Sequence, residues 1–188
     1  MAGMLADKNM LVRRFSSAEE FLDTYDVSQA GCLVLDVKMP GMSGIELQKK
    51  LADDGASMPV IMITGHGDIP MSVRAMKRGA FDFLEKPYHP EELTESIRQA
   101  LKIDSQRRLE QDRRDGVRSK ISALTQSERD VMDQIAAGKA NKVVAAVLDM
   151  SIRTVELRWA MLREKLNVDS RVDLAKLLIS VQQPAEQG

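Results

Sequence analysis

The chain has 188 residues, with 27 Lys and Arg against 28 Asp and Glu and a net charge of −1. That balance excludes the whole-chain charge excess of a protein that coats nucleic acid or an anionic membrane. One cysteine excludes a disulfide framework, and no apolar run reaches the roughly 20 residues of a membrane span.

The length suits one large or two small domains. The N-terminus has no signal-peptide pattern, so a soluble, cytoplasmic protein is expected. Residues 1–9 are weakly patterned. Met10, Leu11, Val12, Arg13, Arg14 and Phe15 read as a strand with the arginines near its exposed end. Ser17 and Glu20 have capping-box spacing and open a short helix carrying Phe21 and Leu22.

Residues 32–36 then climb through Cys32, Leu33, Val34 and Leu35 to Asp36 and break at Pro40 and Gly41. A short, β-rich apolar run bounded by breakers reads as a buried strand. Cys32 in that run reads as a small core residue. Ser43 and Glu46 form a second capping-box pattern ahead of Ile45, Leu47 and Leu51. Residues 59–63 form the next apolar run, ending at Thr64 and followed by Gly65, His66 and Gly67. Asp68 can cap a helix with Pro70 in its first turn, Val73, Ala75, Met76 and Ala80 as its apolar residues, and Gly79 as its stop. Residues 81–85 read as a strand ending at Lys86 and Pro87. A helix follows with Leu93, Ile97, Ala100 and Leu101 at helical spacing.

Strand and helix alternate throughout, which predicts parallel βα units. Three successive strands end in Asp36, Thr64 and Lys86. In an open parallel sheet the carboxyl ends share one edge, where ligands and chemistry collect. A carboxylate, a hydroxyl and an ammonium there suit phosphoryl chemistry, as nucleophile, hydrogen-bond donor and positive charge. His66 and His89 lie on loops and read as turn or surface residues.

Residues 104–122 are charge-dense, mixing Arg107, Arg108, Arg113, Arg114, Arg118 and Lys120 with Asp104, Glu110, Asp112 and Asp115. They read as a solvated helix or linker whose continuity Gly116 weakens. From Leu124 the pattern becomes one of compact helices. Thr125, with Ser127 as an alternative, caps the first, which carries Val131, Met132, Ile135 and Ala136 and stops at Gly138. Asn141 caps a short helix with Val144, Ala145 and Leu148 inward. Ser151 caps a longer one with Val155, Trp159, Leu162 and Leu166 inward. A last helix over residues 172–181 carries Leu174, Leu177, Leu178 and Val181. Two helices joined by a tight turn, the second longer, match a helix-turn-helix, and equally a plain helical bundle.

The first half resembles the receiver domain of bacterial two-component response regulators. Asp36, the loop from Met39 through Pro40, Gly41, Met42 and Ser43 to Gly44, Thr64 and the Lys86–Pro87 pair carry that resemblance. It implies that Asp36 accepts phosphate, that Thr64 and Lys86 bind the phosphoryl oxygens, that Phe83 is an aromatic switch, and that Lys86–Pro87 is cis. Receivers normally carry an additional first strand ending in an acidic pair that helps to hold Mg²⁺. This sequence has no match for it, and Asp7 does not fit. The resemblance therefore implies a flavodoxin-like parallel sheet, N-terminally shortened, in which Asp36 alone is a weak Mg²⁺ site.

The second half resembles the LuxR-type DNA-binding domain through Leu124, Thr125, Glu128, Ala137, Gly138, Asn141, Lys142, Ala145, Leu148, Ser151, Thr154, Val155, Glu156, Lys165 and Leu166. Together the halves resemble the NarL/FixJ family of response regulators. The expected domains are a receiver over 1–103, a helical linker over 104–122 and an all-α four-helix LuxR-type helix-turn-helix domain over 123–188. The implied DNA-binding residues are Lys142, Arg153, Thr154, Glu156, Leu157, Arg158, Ala160, Met161 and Lys165, with Arg171 a further phosphate candidate. Glu156 could accept from cytosine, and Leu157 or Ala160 could meet a thymine methyl. Trp159 reads as core rather than as a stacking group.

The implied partners are double-stranded promoter DNA, a sensor histidine kinase and a second copy of the chain. The function expected is transcription regulation controlled by phosphorylation of Asp36. Alternatives are a receiver that acts without phosphorylation as a dimerisation or docking module, and, remotely, an aspartyl-nucleophile phosphatase. Such phosphatases usually carry a second acid two residues after the nucleophile, where this chain has Lys38.

Overall fold

The computed structural model describes residues 10–65, 76 and 78–182. The chain divides into two compact units, residues 1–108 and 109–188.

Among the described residues the first unit is built on three parallel strands, β1 (Leu33–Asp36), β2 (Val60–Thr64) and β3 (Asp82–Glu85), in the order β1-β2-β3. Leu33 lies opposite Val60 and Asp36 opposite Ile63; Thr64 lies opposite Glu85. Every residue of β2 is buried, as expected of a central parallel strand covered on both faces. Alternation sends Val60 and Met62 to one face and Ile61 and Ile63 to the other. On the first face they join Leu35, Val37 and Phe21 of α1 (Ala18–Thr24), with Leu47 and Leu51 of α2 (Gly44–Asp53). On the second they meet Leu93, Ile97 and Ala100 of α3 (Pro90–Ser122). Each fully buried aliphatic side chain stabilises the unit by about 1.5–3 kcal/mol.

The described caps of this unit follow the sequence with one adjustment. Ser43 and Glu46 close a full capping box. Ser17 Oγ accepts from the Glu20 amide, but the Glu20 carboxylate reaches back to the amide and hydroxyl of Ser16 instead of Ser17. The helix expected after Asp68 lies mostly outside the described residues, as do Asp7 and His66. Its expected stop is described: Gly79 has φ +82° and donates to the Met76 carbonyl at 3.0 Å. Cys32 lies just before β1, and burial, with a smaller contribution from the Asp104 charge, pushes its thiol up to about 11.

Residues 10–15 are not a strand. Met10 and Val12 pack into the α3-side core and Phe15 into the opposite one. Met10, Val12 and Phe15 are thus spent on packing, and no ladder forms. Among the described residues no strand pairs with the outer edge of β1, and a cavity of about 760 Å³, lined by Met10, Val12 and Phe15 and by Cys32, Val34 and Leu35, lies beside it. Leu33 and Val37 donate to Pro59 and Ile63 of the β2 side. The intervening Val34 and Asp36 amides therefore point away from β2.

In the second unit, α4 (Gln126–Ala136), α5 (Asn141–Val147), α6 (Ile152–Leu166) and α7 (Arg171–Gln182) enclose Val131, Ile135, Val144, Val155, Leu162 and Leu174. Trp159 packs against this core. Thr125 caps α4 in a complete box with Glu128, which resolves the choice between Thr125 and Ser127. The cap of α5 is Ala140, not Asn141; Asn141 is the first helical residue, and its side chain instead accepts from Arg171 at 2.6 Å. Ser151 caps α6 as expected.

Helix α3 runs through Gly116 without a break. One Gly costs about 1 kcal/mol relative to Ala, and ion pairs such as Arg114–Glu110 and Arg118–Asp115 at helical spacing return a few tenths each.

Candidate functional site

The carboxyl ends of the three strands form one edge. Asp36 is the last residue of β1, Thr64 the last of β2, and Lys86 follows β3 directly. The Lys86 amide donates to the Thr64 carbonyl at 2.7 Å, which continues the β2–β3 ladder past the strand end and fixes where the lysine begins. Its ammonium lies 2.6 Å from Asp36 Oδ2. The other carboxylate oxygen, Oδ1, accepts from the Lys38 amide at 3.0 Å. Both side chains remain partly open, 36% for Asp36 and 45% for Lys86, so the pair is reachable from solvent. Thr64 is buried, one register step beyond Ile63, the partner of Asp36. Lys86–Pro87 is cis, as expected.

The loop after Asp36 is held closely. The Gly44 amide donates to the Val37 carbonyl at 3.1 Å. A Cβ on Gly44 would stand 2.2 Å from the Asp36 carbonyl oxygen, so only glycine lets α2 start there. Phe83 is half-buried on β3 and packs into the core that α1 and α2 share.

Two contributors escape a sequence reading. Glu19 accepts from the Met42 amide at 3.1 Å, tying α1 to the loop. Its carboxyl is held below the usual range by its own amide first and that of Met42 second. Asp104 is buried and accepts from the Gly31 amide and from Arg108 Nε, each at 2.9 Å. Arg108 also donates to the Ser28 carbonyl at 2.5 Å and to that of Gln29. Asp104 looked like one acid among many in a charge-dense stretch, and only the fold reveals that it faces inward.

Asp36 is the carboxylate that could offer Mg²⁺ a ligand at this edge. Mg²⁺ demands near-octahedral oxygen ligation, usually from one or two carboxylates plus water and phosphate. Among the described residues no three acidic, His or Cys side chains gather, and Asp36 has both oxygens engaged.

In the second unit the short turn between α5 and α6 passes through Asp149 at φ +51°. Helix α6 turns Val155, Leu162 and Leu166 inward and leaves Arg153, Glu156, Leu157, Ala160 and Met161 exposed. Thr154 sits in its first turn, its amide donating to Ser151 Oγ at 3.0 Å. Lys142 is exposed on α5. Arg158 is half-buried, with Nη1 inaccessible and without a hydrogen-bond partner among the described residues. Two of the basic phosphate candidates have structural partners. Lys165 donates to Glu128 at 2.5 Å. Arg171 donates to Asn141 Oδ1 and to the Lys139 carbonyl. The Lys165 hydrogen bond, followed by that of the Thr125 amide, lowers the Glu128 carboxyl from 4.5 to about 2.

Residues 1–98 match the family described as response regulator receiver domain, and residues 122–178 the family described as bacterial regulatory proteins, luxR family. Among similar proteins, the transcriptional regulatory protein FixJ of Azorhizobium caulinodans is 40% identical over 179 residues, covering 95% of this chain and 85% of the relative. The response regulator protein TodT of Pseudomonas putida is 39% identical, covering 94% of this chain and 78% of the relative. Among solved structures, the response regulator StyR superposes with a TM-score of 0.85 at 40% identity, covering 94% of this chain and 89% of that one. Full-length FixJ from B. japonicum has a TM-score of 0.55 at 35% identity, covering 96% and 89%.

Proposed function

The chain belongs to the NarL/FixJ family of two-component response regulators, a receiver joined to a LuxR-type DNA-binding domain, and from that premise we propose that Asp36 is the phosphoacceptor that controls DNA binding. The observation that carries this reading is the Lys86 ammonium 2.6 Å from a solvent-reachable Asp36 carboxylate at the carboxyl edge of a parallel sheet.

One carboxylate oxygen of Asp36 attacks phosphorus and forms the acyl phosphate. The bond from phosphorus to the donor breaks, and the leaving group departs with its electron pair. Lys86 moves from the carboxylate to the phosphoryl oxygens and offsets their charge, the main task of a protein in such transfers. Thr64, one strand over, donates its hydroxyl to the same oxygens, and Phe83 reports the change through the core it packs in. Receiver domains commonly bind Mg²⁺ at this site; here the carboxylate from this chain would be Asp36.

The donor is a phosphohistidine of a sensor kinase, the output is binding of double-stranded promoter DNA as a homodimer, and the compartment is the cytoplasm. The working boundaries are a receiver over 1–103, a linker over 104–122 and the DNA-binding domain over 123–188. Lys142, Arg153 and Arg158 approach phosphates. Lys165 acts from its pair with Glu128, and Thr154, Glu156, Leu157, Ala160 and Met161 face the groove.

A second reading, a receiver that docks or dimerises without phosphorylation, is favoured by the lack, among the described residues, of any group of three acidic, His or Cys side chains that could hold a metal ion. Retention of a random-sequence duplex pool by the full chain, with and without acetyl phosphate, separates the two. The first reading predicts a change in affinity that Asp36→Asn abolishes. Equal binding by both proteins under both conditions establishes the second.

A further inference from the structure

In the first unit a cavity and a strand edge meet. The cavity, of about 760 Å³, lies beside the outer edge of β1, and its size is that of built ligand sites, roughly 300–1,000 Å³. Its walls are apolar on two sides: Phe21, Leu35 and Leu47 come from one core, Ile97 and Leu101 from the other. Among the described residues, Arg13 and Arg14 are the charged side chains that line it.

These walls define the chemistry of a guest. The backbone groups of Val34 and the Asp36 amide point away from β2, with the two-residue repeat of a strand, about 6.6 Å. Among the described residues no strand pairs with them. A strand edge beside an apolar cavity needs donors and acceptors at that repeat. A hydrocarbon chain has none, whereas an extended peptide has both. Walls on both faces require apolar side chains on both sides of that peptide, and the two arginines require carboxylates. Residues 10–15 of a second copy have the wrong charge, because their own Arg13 and Arg14 would meet like charges.

We propose that this slot binds an extended segment of another polypeptide, about five residues long, apolar on both faces and flanked by acidic residues, which adds a strand to the outer edge of β1. Strand addition draws affinity from main-chain hydrogen bonds and specificity from side-chain pockets. It uses the Asp36 amide and not the carboxylate, so it does not depend on phosphoryl transfer.

The test titrates a fluorescein-labelled peptide, Glu-Val-Ile-Val-Leu-Val-Glu, with the full chain and follows anisotropy. The expected result is saturable binding that slows hydrogen exchange at the Val34 and Asp36 amides. Proline at the centre of the peptide removes a ladder donor and should weaken binding about tenfold. Lysine in place of both glutamates, or Arg13→Glu with Arg14→Glu in the protein, should weaken it about tenfold or more. Both arginines are exposed, so the double variant should melt at the wild-type temperature, and the lysine peptide tests the same charges on the unaltered protein. Absence of binding overturns the inference. Equal binding of the proline peptide, or displacement of the probe by an equal concentration of dodecanoate, overturns it in favour of a cavity for apolar anions. Slow exchange at both amides before any peptide is added also overturns it, because the edge is then already paired.

Discussion

Lys86 bridges the end of β3 to the end of β1, placing its ammonium 2.6 Å from Asp36 Oδ2. An exposed pair of this kind contributes at most about 1 kcal/mol to stability. Lys86→Ala should therefore leave thermal unfolding nearly unchanged. Phosphoryl transfer is different, because charge-assisted contacts to the transferred group are worth about 1.5–3 kcal/mol. The variant should accept phosphate from acetyl phosphate about tenfold or more slowly. Time-resolved intact-mass measurement checks this, and an unchanged rate would remove Lys86 from the site.

Gly44 should be irreplaceable for a local reason. An alanine Cβ would collide with the Asp36 backbone at 2.2 Å, and α2 would have to move. Gly44→Ala is expected to destabilise by about 1–3 kcal/mol, as overpacking does. Gly116, inside α3 with nothing near its Cβ position, is the control. Gly116→Ala should stabilise by about 0.5–1 kcal/mol. Denaturant titration of both variants checks the opposite signs.

Glu128 gives the second unit an acid sensitivity. Its carboxyl falls from 4.5 to about 2 in the folded chain, through Lys165 and the Thr125 amide. A carboxyl depressed by folding stabilises above its unfolded value, and that contribution is lost as pH falls from about 4.5 toward 2. Thermal melts across that range should show a decline that Glu128→Gln lacks. Lys165→Met should make the decline smaller and end it nearer pH 4.5, since the largest cause of the depression is then gone.

Asp104 and Arg108 form a clasp between α3 and the segment before β1. Arg108→Ala leaves a carboxylate buried without its cation, a change that costs about 3–5 kcal/mol. The double variant Asp104→Asn, Arg108→Ala should recover part of that loss. A denaturant double-mutant cycle measures the coupling.

Much of this was legible in the chain. β2 announced itself as five consecutive apolar or β-branched residues, and the site followed because strands of one parallel sheet must end together. Ser43, Glu46 and Gly79 marked element ends through local chemistry alone. What was not legible depends on partners distant in sequence. Residues 10–15 have strand composition, yet Met10, Val12 and Phe15 are taken up by the two cores and form no ladder. Asn141 has a capping side chain, yet Arg171, thirty residues on, engages it. Lys165 reads as a free cation until α4 brings Glu128 to it. The outward face of α6 was readable by helical period, but only burial separates exposed Leu157 from core Val155 two residues earlier.

The most direct measurement is the intact mass of the full chain after incubation with acetyl phosphate and Mg²⁺, beside Asp36→Asn. The account predicts one added phosphoryl group on the wild type and none on the variant. A folded wild-type protein that gains no phosphoryl group, or a variant that gains one equally, would contradict the assignment of Asp36 as the phosphoacceptor.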